Sequence, residues 1–283
     1  MSPPVTGIDH LIVGVRDLDA ARRSWNRLGF TVTPRGRHRG WGTANHCLML
    51  QEGYVELLGI VDPTGFDNGL GAFLKEREGL LGVALGTADA DATHAAWRRA
   101  GLAAGEPAAL GRLLELPDGD VELRFRNTML ERRDLAGVGM FASQHLTPEL
   151  LRRPAWTAHP NGALALVSCT VVARDPAEVA AAMGKVFGTS ALTRTDALTA
   201  VQTGSAVLLV AGAADAAQLH PGFDIEEPGE APLLEVMAVM VDDPDRAAAL
   251  LKRQGVAHRR DASGAVLVQP EDATGVRLEL VPA

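Results

Sequence analysis

The stretch GIDHLIVGVRDLDAARRSWNRLGF, residues 7–30, contains a change of period that decides the fold. Ile8, Leu11, Ile12, Val13 and Val15 make a nearly continuous apolar run, as expected of a strand buried on both faces. Asp17 follows, then the amphipathic stretch LDAARRSWNRL, then Gly29. A short carboxylate accepts bonds from the free N–H groups of a first helical turn, and glycine takes the left-handed conformation that ends a helix. The segment therefore predicts strand, helix and stop. His10 falls inside the strand, where an imidazole must either find partners or do chemistry.

The same punctuation recurs three times. GLLGVALGTAD leads through Asp89 and ADATHAAWRRA to Gly101; LALVSCTVVARD leads through Asp175 and PAEVAAAMGKVF to Gly188; LEVMAVMVDD leads through Asp243 and PDRAAALLKRQ to Gly255. Pro176 and Pro244 occupy first helical positions, where a missing N–H costs nothing. After each glycine come short strand-like runs: FTVTP, ANHCLMLQ and YVELLGI; GRLLEL and VELRF; ALTRT, LTAVQT and SAVLLVA; VAHRR, AVLVQ and VRLELV. Their close spacing leaves no room for parallel crossovers and predicts antiparallel pairing. The chain reads as an α+β protein of four βαβββ modules, near 7–60, 80–127, 163–211 and 232–282. A first domain is expected over 1–142, a connector with Pro148, Pro154 and Pro160 over 143–162, and a second domain over 163–283.

Of 283 residues, 47% are hydrophobic and 22% charged, the balance of an ordinary globular protein. A net charge of -8 and 4% aromatic residues leave neither a basic footprint nor stacking platforms, so nucleic acid is not an expected partner. No apolar run approaches the roughly 18 residues of a membrane span, and MSPPVTG lacks a basic segment followed by an apolar one. A cytoplasmic protein without a membrane partner is expected. Cys47 and Cys169 form no C-x-x-C and read as small core residues.

The fourfold pattern resembles the vicinal oxygen chelate superfamily of glyoxalases, extradiol dioxygenases and bleomycin-resistance proteins. Within it, IDHLIVGVRDLDAA, GFTVTPRGRHRGWGTANH, YVELLGIVDP and HPNGA are similar to the glyoxalase-like family. The resemblance covers nearly the whole chain. It implies that paired modules curl into two open cup-shaped mixed sheets, with a divalent metal ligated from the first and last strands of modules. His10 and Glu56 match its two ligand positions in module one. Sliding module one onto the others puts Gly82, Ser168 and Val236 opposite His10, and Glu122, Val207 and Glu279 opposite Glu56. The implied metal set is His10, Glu56 and Glu122, suited to Zn, Mn, Ni, Co, Fe or Mg. Glu122 or Glu56 would shuttle a proton. His38, Trp41, Thr43 and Asn45 fall on positions that the family also carries, and His46 and Tyr54 join them as candidate substrate-binding residues. The implied activity is a metal-dependent lyase or isomerase acting on a small molecule with vicinal oxygens, in a chain that forms a homodimer. A non-catalytic binding or resistance protein and an extradiol dioxygenase are the alternatives. The later half, which lacks the ligand residues, reads as scaffold.

Overall fold

The computed structural model describes residues 5–283, so part of the opening MSPPVTG lies outside the described residues. Module one comprises β1 (Val5–Gly14), α1 (Leu18–Arg27), β2 (Gly36–His38), β3 (Thr43–Met49) and β4 (Tyr54–Ile60), followed by α2 (Leu70–Glu76). Module two comprises β5 (Gly79–Thr87), α3 (Ala90–Arg99), β6 (Ala108–Leu114), β7 (Val121–Met129) and β8 (Met140–His145). The single-turn helices α4 (Pro148–Leu151) and α5 (Pro154–Thr157) lead to module three: β9 (Ala163–Val172), α6 (Pro176–Phe187), β10 (Leu192–Arg194), β11 (Leu198–Gln202) and β12 (Val207–Ala211). After α7 (Ala213–Leu219) comes module four: β13 (Leu233–Val241), α8 (Pro244–Arg253), β14 (His258–Arg260), β15 (Val266–Val268) and β16 (Arg277–Pro282).

The helix signals work as read. Asp17, Asp89, Asp175 and Asp243 each accept a backbone N–H from the first turn of α1, α3, α6 and α8. Two strand readings need correction. FTVTP is not a strand: this module's second strand begins at Gly36. MFASQH, beyond the expected end of module two near 127, is the last strand of that module, parallel to β5 and antiparallel to β7. It crosses the boundary expected at residue 142. A turn of 3-10 helix over Arg132–Leu135 and two glycines separate it from β7 and hid the period.

In every module the last strand lies parallel beside the first, while the strands between pair antiparallel. Modules one and two form the expected cup, with the strand order β1-β4-β3-β2-β6-β7-β8-β5 closed into a barrel. Closure comes from β2 against β6, where Gly36, Arg37 and His38 face Leu114, Leu113 and Arg112. Modules three and four form an open sheet, β10-β11-β12-β9-β13-β16-β15-β14. One apolar cluster joins both halves, with Trp25, Trp97, Met183, Val186 and Leu251 all nearly inaccessible to solvent. Both cysteines are free and buried. Among the described residues, no helix is long and apolar enough to cross a membrane.

The two halves differ in what fills the sheet. In the second half α7 and the segment after it lie on the face that module registry equates with the inside of the barrel. His220 meets Thr170 at 2.8 Å and Glu279 at 2.7 Å. Phe223 packs on Val236 and Leu267. By the pairing of β9 with β12, Leu209 rather than Val207 holds the place of Glu56 in module three, because it faces Thr170 as Glu56 faces Ile12. A buried ion network also ties the halves together: Glu235 meets Arg77 at 3.0 Å and Arg277 at 2.5 Å. Removing one partner of such a group strands the other charges. Glu235→Ala is therefore expected to lose about 3–5 kcal/mol of stability, measured by chemical denaturation; a loss below about 1 kcal/mol would show that the network contributes little.

Candidate functional site

A cavity of about 470 Å³ opens inside the barrel. Its walls are apolar, from Ile12, Leu58, Leu81, Leu110 and Met140, and its polar side chains include His10, Glu56, His38 and Arg112. This is the arrangement of a small-molecule site, with a few convergent polar groups in an apolar hollow.

His10 owes its setting to a bulge. In a regular strand adjacent side chains point to opposite faces, so Asp9 and His10 should not meet. The pairing of β1 with β5 slips between Ile8 and His10, leaving Asp9 as the extra residue. Asp9 Oδ2 consequently lies 2.7 Å from His10 Nδ1, and the same oxygen lies 3.0 Å from His145 Nε2. The other ring nitrogen, His10 Nε2, faces Glu56 Oε2 at 3.5 Å. Tyr54 stacks on the imidazole with ring centroids 4.3 Å apart.

Glu56 comes from β4 with one oxygen toward His10 and the other toward a group of donors. Asn45 Nδ2 donates to Oε1, and His38 Nε2 and Arg112 Nη1 stand 3.7 and 3.8 Å from it. Burial alone would raise the Glu56 carboxyl, but His10, His38 and Arg112 outweigh it and hold the group at about 2. For His10, burial works against protonation, and the contacts with Asp9 and Glu56 overcome it, so its pKa rises above the ordinary 6.5. Asp9 is pulled down by His10 and His145 in spite of its own burial. Burial dominates at His38 and lowers it. The floor thus places the His10 imidazole between two carboxylates, with a guanidinium beside the second.

The expected site residues divide. His10, Glu56, His38, Asn45, Tyr54 and Trp41 come together; all but Asn45 line the cavity, and Asn45 bonds the carboxylate from β3. Thr43 holds His38, its hydroxyl 2.9 Å from Nδ1. His46 points the other way: Asn45 and Cys47 take the inner face of β3, and His46 Nδ1 lies against the Thr33 carbonyl at 2.8 Å. Glu122 must be corrected. Phe125, Asn127 and Met129 face the cavity from β7, so the alternation puts Glu122 on the outside of the barrel. There it is paired with Arg39 at 2.8 Å, its side chain 41% exposed. It aligns with Glu56 only when module two is ended at residue 127, which leaves out β8, the counterpart of β4. Two functional residues escaped the sequence reading. Asp9 was hidden by the bulge, and Arg112 shares the GRLLEL strand with Glu115, so its charge alone did not mark it.

Strand registry also tests the implied metal. β1 and β5 pair symmetrically about Leu11 and Val83, which places Gly82 where His10 stands in module one. Glu56 faces Ile12; the corresponding pair in module two is Ala84 with Phe141. Gly82 and Phe141 donate nothing to a metal. His38 addresses the Glu56 oxygen already taken by Asn45 and Arg112, not the one beside His10. Among the described residues no three His, Cys, Asp or Glu side chains are arranged to hold a metal ion. A guanidinium 3.8 Å from the carboxylate further opposes a second cation there. The residues present do not fit a resident divalent ion.

Paired βαβββ modules around such a cavity define a protein of the vicinal oxygen chelate class. The family model described as a glyoxalase-like domain matches residues 8–187, and the chain belongs to that family. Its fold is similar to that of a hypothetical protein from Staphylococcus aureus, with a TM-score of 0.69 at 13% identity over 98% of each chain. A xylose isomerase-like TIM barrel/4-hydroxyphenylpyruvate dioxygenase fusion protein matches with a TM-score of 0.60 and 16% identity; the match covers 100% of this chain and 49% of that one. Methylmalonyl-CoA epimerase from Mycobacterium tuberculosis has a TM-score of 0.42 and 21% identity, over 53% of this chain and 95% of its own. No curated protein matches the chain.

The lowered Glu56 pKa is a stability statement. The ionised group stabilises the fold above the ordinary 4.5, and this contribution disappears as pH falls toward about 2. Glu56→Gln is expected to cost about 3 kcal/mol at neutral pH in denaturant titrations. The gap between variant and wild type should close on acidification through that range; a gap independent of pH would contradict the assigned charge state.

Proposed function

We propose that the protein is a lyase or isomerase of the glyoxalase-like type, moving a proton on a small molecule with vicinal oxygens by acid–base chemistry of its own side chains. The observation that carries this reading is His10 fixed by Asp9 and aimed at Glu56 inside the cavity. The 3.5 Å between His10 Nε2 and Glu56 Oε2 is longer than a good hydrogen bond, so a substrate oxygen approaching from the cavity can compete for the Nε2 proton.

In that position the substrate oxygen accepts the His10 Nε2 proton bond, and Asp9 keeps the ring oriented and charged. Glu56 then loses the partner that most lowers its pKa, so the buried carboxylate becomes a stronger base and takes the proton from the carbon next to the oxygen. The charge that develops on oxygen is met by the imidazolium and by nearby Arg112, in surroundings that exclude water. Return of the proton by Glu56 to the adjacent oxygen-bearing carbon, with His10 moving the proton between the two oxygens, gives an isomerase; departure of a neighbouring group with its bonding electrons gives a lyase.

The test is solvent deuterium exchange at the carbon beside the oxygen, followed by NMR over a panel of small 2-oxo and 2-hydroxy compounds. His10→Ala and Glu56→Gln should each slow exchange by about 10²–10⁴, and EDTA should leave the wild type unchanged. Exchange abolished by EDTA and restored by a divalent ion would overturn the metal-independent mechanism. Tight binding without exchange or product would favour sequestration of the ligand, a reading that Gly82 and Phe141 at the module-two positions and the apolar walls also serve.

A further inference from the structure

Arg112 is the most demanding side chain in the molecule. It is 2% exposed and yet lines the cavity. Its stem passes over Gly36, where a Cβ would come within 2.8 Å of Arg112 Cδ, so the glycine is what makes room for it. Nη1 is turned to Cys47 Sγ at 3.4 Å and to Glu56 Oε1 at 3.8 Å. Nε and Nη2 have no hydrogen-bond partner. Those two nitrogens carry the parallel N–H bonds along one edge of the guanidinium, the fork that matches the two oxygens of a carboxylate. The guanidinium also lies over the Phe125 ring, 5.5 Å from its centroid, but that contact pairs neither N–H, and leaving both donors buried and unpaired costs free energy.

The charge of Arg112 is not needed in full by Glu56, which has His10 and Asn45 as nearer partners. Asn127 Oδ1, on the same cavity wall, is a second buried polar atom without a partner. The unpaired donors and acceptor mark positions for a polar ligand, and the apolar walls fix what the remainder of it must be.

We propose that Arg112 is the anion subsite of the cavity and determines specificity for small 2-oxo or 2-hydroxy acids with an apolar remainder, the carboxylate lying on the Nε and Nη2 edge. The inference rests on the cavity being the substrate site, but not on the chemistry assigned to His10 and Glu56.

The experiment uses phenylglyoxylate and its uncharged methyl ester as probes, with affinity measured by calorimetry. Wild type should bind the acid about ten- to a hundredfold more tightly than the ester, as a charge-assisted bond requires. Arg112→Gln should erase the preference and Arg112→Lys should restore part of it, with thermal melts establishing that both variants fold. The wild-type comparison needs no variant at all. Equal affinity for acid and ester, no binding of either at millimolar concentration, or a preference that survives in Arg112→Gln would overturn the assignment. His10→Ala should keep the preference while losing deuterium exchange on those 2-oxo and 2-hydroxy compounds that carry a hydrogen beside the oxygen, so failure of the proposed chemistry and failure of the anion subsite give different results.

Discussion

Two carboxylates, Asp9 and Glu56, lie inside the first barrel with side chains 8% exposed, and the site is organised by the need to pair them. Burying an unpaired carboxylate would cost several kcal/mol, enough to consume a large part of a domain's net stability. The bulge in β1 meets this need by bringing Asp9 and His10 to the same place, so one imidazole serves both acids. Arg112 and Asn45 complete the set at Glu56. His10 and Arg112 bring positive charge from the chain itself to these carboxylates, and the module-two positions that match His10 and Glu56 hold Gly82 and Phe141.

Much of the fold was legible. Four aspartate caps and four glycine stops, spaced alike, gave the modules, because capping is a local effect that needs no tertiary information. His10 and Glu56 stood out as polar residues in apolar strands. The misses were all non-local. β8 is short and follows an irregular connection, so its loss turned Glu122 into a false counterpart of Glu56. The bulge changes the direction of one side chain and leaves no mark on hydrophobic period. Barrel closure depends on three residue pairs between β2 and β6, which no single segment announces.

The two halves show one architecture carried to different ends. In the second, Glu279 keeps the position of Glu56, facing Ala238 as Glu56 faces Ile12. Its partner is His220, delivered by the segment after α7, and Phe223 from the same segment occupies the hollow. A carboxylate at this register can be satisfied by an inserted segment or by a constellation of strand residues. The second solution, in the first barrel, is the one that stands beside the cavity of about 470 Å³.

The charge state of His10 is the point on which the site turns. Nitrogen-15 NMR of the imidazoles, with His10 assigned by its absence in His10→Gln, measures it directly. The account predicts an imidazolium with both ring nitrogens protonated beyond the ordinary 6.5, unaltered by added zinc or manganese. A neutral ring that titrates at or below that value, or a ring nitrogen whose signal shifts on binding one of those ions, would contradict it.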